Sequence, residues 1–427
     1  MNVTVVGMGK IGLPLAVNFA QHDQKVIGLD TSEVVVNQIN LGIEPFPGEK
    51  NLSEFLKQVV AKKYLKATSN FAEALSEAEV VVVCIPLIVD TEGKPDFTNI
   101  DNLASTIGKN ISPGTLVCFE TTLPVGTTRN RFAMVIAEES KLEIGKEFFV
   151  VFSPERVLTG RIFSDLRKYP KLVGGVTDEC TRRGVEFYKS VIDFDVREDL
   201  VRENGVWPMK NAEAAEFAKI AETTYRDVNI GLANEFAIYA KENNIDILEV
   251  IEASNSQPYS MIHSPGIAVG GHCIPVYPRF YIWNNPNSGI VLAAREQNLQ
   301  MPKRAIRQIN ESIGSITGMK IGILGVTYRP GVKESAFSGA LDLLHLLTSE
   351  GAEVSGLDPF YSGTELKELG FSGETNLNQI HGVIIHTAHP EFTSIDFEGL
   401  TNIKFVYDGR KSQRNLALSK NLIYISY

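Results

Sequence analysis

Short β-rich runs punctuate the first half of the chain, at Val3–Val6, Lys25–Leu29, Val80–Ile85, Leu116–Glu120 and Phe148–Phe152. Amphipathic stretches such as Leu13–Gln21 and Val34–Leu41 lie between them. Strands alternating with helical stretches predict a parallel sheet covered by helices on both faces. Near Asn211 the period changes. Ala214, Phe217, Ala221, Thr224, Val228, Leu232 and Phe236 recur at steps of three and four, which predicts one long helix over Asn211–Asn243. The strand rhythm returns at Lys320–Gly325, Glu353–Leu357, Gly382–His386 and Lys404–Tyr407. The expected architecture is therefore α/β: two doubly wound parallel-sheet domains, residues 1–205 and 316–427, joined by a central helical domain, residues 206–315. No low-complexity segment or short-period repeat interrupts this plan.

At 427 residues the chain is too long for one ordinary core, which agrees with several domains. Hydrophobic content of 44% and charged content of 22% are those of a soluble globular protein. The formal charge of −10 argues against nucleic acid or an anionic membrane as the main partner, while leaving a small anionic substrate open. No run approaches the roughly 18 apolar residues of a membrane span, and no leader-like segment precedes the first strand. The four cysteines, Cys84, Cys118, Cys180 and Cys273, form neither a disulfide framework nor a C-x-x-C pair, which fits a reducing compartment. A cytoplasmic enzyme is expected.

Two segments carry candidate chemistry. The first strand runs into Gly7-Met-Gly9-Lys10-Ile11-Gly12, a G-x-G-x-x-G turn opening a helix. The first glycine permits the turn, the second lets a pyrophosphate approach the backbone, and the third allows close helix packing. Asp30 ends the next strand, 18 residues beyond Gly12, where a carboxylate accepts both ribose hydroxyls of NAD and repels the 2′-phosphate of NADP. The expected cofactor is NAD, with Lys10 and Ile11 inside the binding turn. The second segment is Gly270-Gly271-His272-Cys273-Ile-Pro275. A cysteine after two glycines stands on backbone that a substrate can approach, and a thiolate there can attack an aldehyde carbon. A buried structural thiol is the other reading of an isolated cysteine.

These two segments, together with Glu120-Thr-Thr122-Leu-Pro124-Val-Gly126-Thr-Thr128 and Ser153-Pro154-Glu155-Arg156-Val, resemble the UDP-glucose/GDP-mannose dehydrogenase family from end to end. The resemblance implies two Rossmann-like domains, for NAD and for a UDP-sugar, around a helical dimerisation centre. It implies two successive oxidations of a sugar C6 alcohol, through a thiohemiacetal and a thioester on Cys273. By motif position Lys219 steadies the C6 oxygen. Thr223 lies one turn on, and Thr122 and Glu155 hold water and substrate near the thiol. Thr122 also borders the cofactor. Arg156, Gly270 and Gly271 join the substrate residues. In the third part Arg329, Lys333 and Arg410 match basic positions that hold the diphosphate. Ser-Pro-Glu155-Arg156-Val and Tyr225-Arg226-Asp227-Val-Asn229 resemble the branch acting on UDP-N-acetylmannosamine or UDP-N-acetylglucosamine, with UDP-glucose as the alternative sugar.

The chain departs from the family pattern where Thr223 replaces an asparagine, Tyr277 an aspartate, Thr159 a glutamate and Ala268 a glycine, so the base that activates water is left unassigned. Its seven histidines show no metal-ligand spacing, and no metal is assigned. His272 is read as a loop residue supporting Cys273. A homodimer through the long helix is expected, because its apolar face exceeds what one small domain covers. Two other functions stay open: a two-electron NAD dehydrogenase acting on a small hydroxy or amino acid, and a catalytically silent sugar-nucleotide-binding protein.

Overall fold

The computed structural model describes residues 1–90, 93–419 and 422–427. The chain divides into two compact units, Met1–Glu222 with Arg279–Asn284, and Thr223–Pro278 with Asn285–Tyr427.

The first unit is built on an eight-stranded sheet and a small hairpin. Its strands are β1 (Asn2–Val6), β2 (Lys25–Leu29), β3 (Leu65–Thr68), β4 (Val80–Val83), the hairpin strands β5 (Ile88–Val89) and β6 (Pro95–Asp96), β7 (Leu116–Phe119), β8 (Phe149–Phe152), β9 (Lys171–Gly175) and β10 (Val206–Pro208). The sheet order is β10-β9-β8-β7-β4-β1-β2-β3. From β3 to β8 every pairing is parallel. Parallel central strands are covered on both faces, and Val80–Val83 and Leu116–Phe119 are accordingly buried at every position. The chain order reverses between β1 and β4, which places a ligand crevice outside their carboxyl ends. The pattern breaks at one side of the sheet: β10 and its neighbour β9 are reversed, β9 running antiparallel to β8. The first residue of β9, Lys171, therefore comes to the carboxyl edge of the sheet, where β7 and β8 release Glu120 and Glu155.

In the second unit β11 (Lys320–Leu324), β12 (Glu353–Leu357), β13 (Gly382–Ile385), β14 (Phe405–Asp408) and β15 (Ile423–Ser426) form an all-parallel sheet in the order β12-β11-β13-β14-β15. Alternate residues feed two cores. Ile321, Ile323, Ile384, Phe405 and Tyr407 join one with Leu343 and Leu347, and Leu324, Val383, Ile385 and Val406 join the other with Phe392 and Phe397.

The two sheets share a local design. In the first, Val5 pairs with Gly28 and Val6 with Leu29; in the second, Ile323 pairs with Gly356 and Leu324 with Leu357. Gly7 (φ +88°) and Gly325 (φ +84°) make the same turn, each donating its N–H at 2.8 Å to the carbonyl of Leu29 or Leu357. Asp30 accepts from the Met8 and Ser32 amides, and Asp358 from those of Val326, Thr327 and Phe360.

The long helix spans Ala212–Glu242. Apart from Ile220, its buried face is made of small and polar residues, among them Ala215, Glu216, Lys219, Thr223, Asp227, Asn234 and Ala237. Phe217, Leu232 and Phe236, which carried the apolar periodicity, are exposed.

Candidate active site

The glycine turn is built as a phosphate cradle. A Cβ on Gly12 would stand 1.9 Å from the Gly7 carbonyl oxygen, so the helix Gly12–Gln21 can begin there only with glycine. A Cβ on Gly9 would meet nothing within 4 Å, which leaves that backbone open to a ligand. Ile11 offers no side-chain cap, and of the first helical amides Leu13 donates to the Gly9 carbonyl at 3.1 Å while Pro14 has no N–H. Each Asp30 oxygen accepts one backbone N–H at 2.9 Å and keeps a lone pair for a ribose hydroxyl. These residues fit NAD. A separate cavity of about 510 Å³, lined by Asn2, Lys25 and Tyr64, opens at the opposite, amino ends of the strands.

Beyond β7 the chain turns through Thr122 to Thr128. Glu216 on the long helix holds this turn, accepting the N–H of Gly126 at 2.6 Å and of Thr128 at 2.8 Å. Thr122 is buried within it. Burial pushes the Glu216 carboxyl up to about 7, against the pull of its hydrogen bonds to Thr128 and Gly126. The residue was not singled out in the sequence, where one glutamate on a charged helix carries no signal.

Glu155 belongs to a buried cluster. Lys171 Nζ donates to Glu120 Oε2 at 2.6 Å and to Glu155 Oε2 at 2.9 Å, and the Tyr188 hydroxyl donates to Glu120 Oε1 at 2.7 Å. Burial drives the Glu120 carboxyl up to about 7 despite Lys171. Burial also opposes ionisation of Glu155, but the charge and hydrogen bond of Lys171 outweigh it and hold that carboxyl below its ordinary range. Arg156 reaches away from this cluster: its Nε donates to Glu222 Oε2 at 2.9 Å, and Glu222 Oε1 accepts from Lys219 Nζ at 3.3 Å. Within the first unit Lys171 thus joins Glu155 to Glu120, and Glu222 joins Arg156 to Lys219; neither Lys171 nor Glu222 carries a signal in the sequence. Only a contact map could reveal them, since 51 residues separate Glu120 from Lys171.

In the second unit the cysteine loop hangs on the long helix. Asn229 exchanges hydrogen bonds with Met261 O (2.7 Å) and His263 N (2.9 Å), and Asn234 Oδ1 accepts the Gly266 N–H at 2.9 Å. Asn234 is itself held by Asn298, which donates to Asp227. Thr223 is buried on this part of the helix, with Arg226 Nη2 at 3.5 Å from its hydroxyl. Gly270 and Gly271 pack against Tyr328: added Cβ atoms would come within 2.7 Å of its Cβ and 2.9 Å of its ring. Small residues are required there by a protein neighbour. Cys273 is half-buried, and its carbonyl accepts the Tyr277 N–H at 2.9 Å as the next helix begins. His272 is exposed, with Nε2 3.2 Å from Glu334 Oε2. Ala268 fills the space above Gly339, where a second methyl would lie 2.0 Å from its own.

The three basic residues of the third part have different surroundings. Arg329 Nε donates to the Tyr328 hydroxyl at 3.0 Å, on the long connection after β11. Arg410 Nε donates to His386 O at 2.8 Å, and its guanidinium lies against Gly266. Lys333 is paired with Glu365 and lies 5.1 Å from the Tyr361 ring centre. Asp358 is closed off by His389 Nε2 at 3.2 Å, both side chains being fully buried. Among the described residues no group of three or more His, Cys, Asp or Glu could hold a metal ion, and no helix is long and apolar enough to cross a membrane.

Residues 1–192 match the NAD binding domain of the UDP-glucose/GDP-mannose dehydrogenase family, residues 213–304 its central domain, and residues 322–414 its UDP binding domain. The chain is 33% identical over 420 residues to a UDP-N-acetyl-D-mannosamine dehydrogenase of Pyrococcus horikoshii, covering 96% of this chain and 95% of that one. It is 35% identical over 361 residues to the Campylobacter jejuni protein of the same name, covering 82% and 84%. Among solved structures, a UDP-D-ManNAc dehydrogenase from Pyrococcus horikoshii superposes with a TM-score of 0.90 at 30% identity, over 100% of this chain and 99% of that one. A UDP-glucose dehydrogenase from Pyrobaculum islandicum gives 0.87 at 26% identity, over 99% and 96%.

Proposed function

This chain belongs to the UDP-glucose/GDP-mannose dehydrogenase family, and from that premise we propose that it oxidises the C6 alcohol of a UDP-N-acetylhexosamine, foremost UDP-N-acetylmannosamine, to the uronic acid. The observation that carries the reading is the end-to-end likeness to UDP-N-acetyl-D-mannosamine dehydrogenases, at 33% identity over 96% of the chain. NAD, when bound, supplies the hydride acceptor for each of the two oxidations. The glycine turn holds its pyrophosphate and Asp30 its ribose hydroxyls.

In this reading the alcohol first loses a hydride and a proton to become an aldehyde. The Cys273 thiolate adds to the aldehyde carbon, giving an sp3 thiohemiacetal that can lose a second hydride. Water then splits the thioester, releasing the carboxylate and restoring the thiol. Lys219 stabilises the developing charge on the C6 oxygen. Glu155 and Thr122 hold water and sugar, Thr223 offers a hydroxyl, and Arg156 orders the same segment through Glu222. Arg329, Lys333 and Arg410 balance the diphosphate charge, Lys333 after leaving Glu365. Gly270 and Gly271 set the backbone that presents the thiol. No residue is assigned as the base for hydrolysis.

A homodimer follows from the long helix, whose Tyr225, Leu232, Phe236 and Tyr239 are exposed. A solution mass of one 47.0 kDa chain would exclude it. The free cysteines suit a reducing cytoplasm.

The test is a panel of UDP-N-acetylmannosamine, UDP-N-acetylglucosamine and UDP-glucose with NAD or NADP, following absorbance and product mass together. Two NADH per sugar and a uronate product support the proposal. One NADH per sugar replaces it with a two-electron dehydrogenase, and binding without turnover makes the chain a silent sugar-nucleotide binder.

A further inference from the structure

The antiparallel β9 presents its amino end at the edge of the first sheet where β7 and β8 end. If the β8–β9 register were continued past Phe152↔Gly174, Lys171 would stand opposite Glu155. Its ammonium lies between two carboxylates, 2.6 Å from Glu120 Oε2 and 2.9 Å from Glu155 Oε2. The lysine and Glu120 side chains are 4% and 1% exposed, whereas Glu155 keeps 10%. The remaining oxygens are also held: Glu120 Oε1 by the Tyr188 hydroxyl and Glu155 Oε1 by the Arg156 N–H at 2.8 Å. Ser153 Oγ donates to Leu172 O at 2.8 Å and ties the two chain segments together beside the cluster. One ammonium thus serves two buried carboxylates, and only Glu155 has a face left over.

We propose that Lys171 is a positioning residue for the reaction: shared between Glu120 and Glu155, it keeps Glu155 a carboxylate and fixes the direction of its open face. This rests on the assignment of Glu155 to substrate and water made above. The physical reason is that two buried carboxylates with no cation between them share a proton, because both cannot ionise at short range. Glu120 is the reservoir in this arrangement. Its carboxyl is pushed up to about 7 by burial, so it takes the proton first while Lys171 protects Glu155. The other titratable groups around the cluster are Tyr188, the half-buried Cys84 thiol and the buried Cys118 thiol, all raised mainly by burial and therefore neutral throughout the working range. Arg156 contributes its amide, while its guanidinium is turned to Glu222.

The experiment compares the parent with Lys171→Met, Lys171→Arg and Glu120→Gln in two readouts. The first needs no substrate: the Glu155 carboxyl is titrated by 13C NMR in the free protein, its signal assigned by its loss in Glu155→Gln. Lys171→Met should raise the midpoint by a pH unit or more. Lys171→Arg should restore most of it, and Glu120→Gln should leave it near the parent value, because glutamine copies the protonated Glu120 already present where Glu155 titrates. The second readout is kcat against pH with NAD and UDP-sugar, where the acidic limb should move in step and kcat at pH 7 should fall at least tenfold in Lys171→Met, with a smaller change in KM. A folded Lys171→Met protein with an unmoved Glu155 midpoint overturns the proposal, as does a moved midpoint with an unmoved kinetic limb. If Lys171→Met does not fold, the double variant Lys171→Met with Glu120→Gln, which leaves a single buried carboxylate, decides: a Glu155 midpoint that stays at the parent value overturns the idea. A parent enzyme that yields no uronate overturns the reaction assigned above, and with it the catalytic part of the proposal, whereas the NMR titration still decides whether Lys171 controls Glu155.

Discussion

The ring of Tyr328 stands against Gly271, so that a Cβ on the glycine would lie 2.9 Å from Cε2, 3.0 Å from Cδ2 and 3.2 Å from Cζ. The same glycine has φ +92°, a conformation that L side chains rarely adopt. Two independent constraints therefore act two residues before Cys273. Gly271→Ala should destabilise the protein by about 1–3 kcal/mol, the scale of a strained backbone residue. Adding Tyr328→Ala should recover the steric share and leave the backbone share. Urea unfolding of the two single variants and the double variant measures both; a Gly271→Ala protein as stable as the parent would show that neither constraint operates.

Cys273→Ala should stop uronate formation, by on the order of a thousandfold or more, as when a covalent nucleophile is removed. At most one NADH per UDP-sugar should appear. Product mass, read beside NADH absorbance, is the measurement, and uronate at the parent rate would end the covalent mechanism.

Asp30 joins the cofactor turn to the second strand through the Met8 and Ser32 amides. Asp30→Ala should raise KM for NAD by about tenfold or more, the range of one or two hydrogen bonds to a charged acceptor. The preference for NAD over NADP should shrink as well, because the repelling carboxylate is gone. Initial rates with both cofactors decide it, and an unchanged ratio would remove Asp30 from cofactor selection.

Glu216 gives stability a pH dependence with a definite sign. Its carboxyl, pushed by burial from 4.5 up to about 7, binds a proton more tightly in the folded protein than in the unfolded chain. The stabilisation is fully present below about 4.5 and is lost as pH rises through about 7. Between those values the slope from this group is at most about 1.4 kcal/mol per pH unit. Glu120, raised in the same direction, adds to it. Glu216→Gln should flatten the dependence between pH 5 and 7, because glutamine resembles the protonated side chain. Urea midpoints at pH 5, 6, 7 and 8 test this, and a Gln variant with the parent's slope would contradict it.

The strands most legible in the sequence were those with concentrated β-branched residues, such as Val80–Val83 and Lys320–Leu324. Leu65–Thr68, Lys171–Gly175, Val206–Pro208 and Ile423–Ser426 are strands that the sequence pattern does not announce. Leu65–Thr68 is four residues long with Thr68 as its only β-branched residue, and Lys171–Gly175 begins with a charge and ends in two glycines. The likeness of Val-Ile-Gly-Leu-Asp30 to Val-Ser-Gly-Leu-Asp358, each preceded by a strand that runs into a glycine, Gly7 or Gly325, is a readable signal of the shared turn. It would still not have told the two apart, since His389, which closes off Asp358, enters from 31 residues away.

The long helix shows a second limit. Its three- and four-residue period was enough to place Ala212–Glu242, because a helix repeats its own face whatever it packs against. Which face is buried was another matter. Phe217, Leu232 and Phe236 are exposed, and the buried stripe carries Glu216, Lys219, Thr223, Asp227 and Asn234, polar groups whose burial is possible only where partners meet them.

By itself, then, the sequence determined what depends on neighbours along the chain: the glycine turn, the alternation of strands and helices, the long helix, and the motifs that place the protein in its family. Tertiary structure alone decided what depends on residues brought from afar. It set Lys171 between Glu120 and Glu155, Glu222 between Arg156 and Lys219, and Tyr328 against Gly270 and Gly271. The reason is physical: conformational preference and periodicity act over a few residues, whereas the charge, burial and contact of a side chain are properties of the space around it.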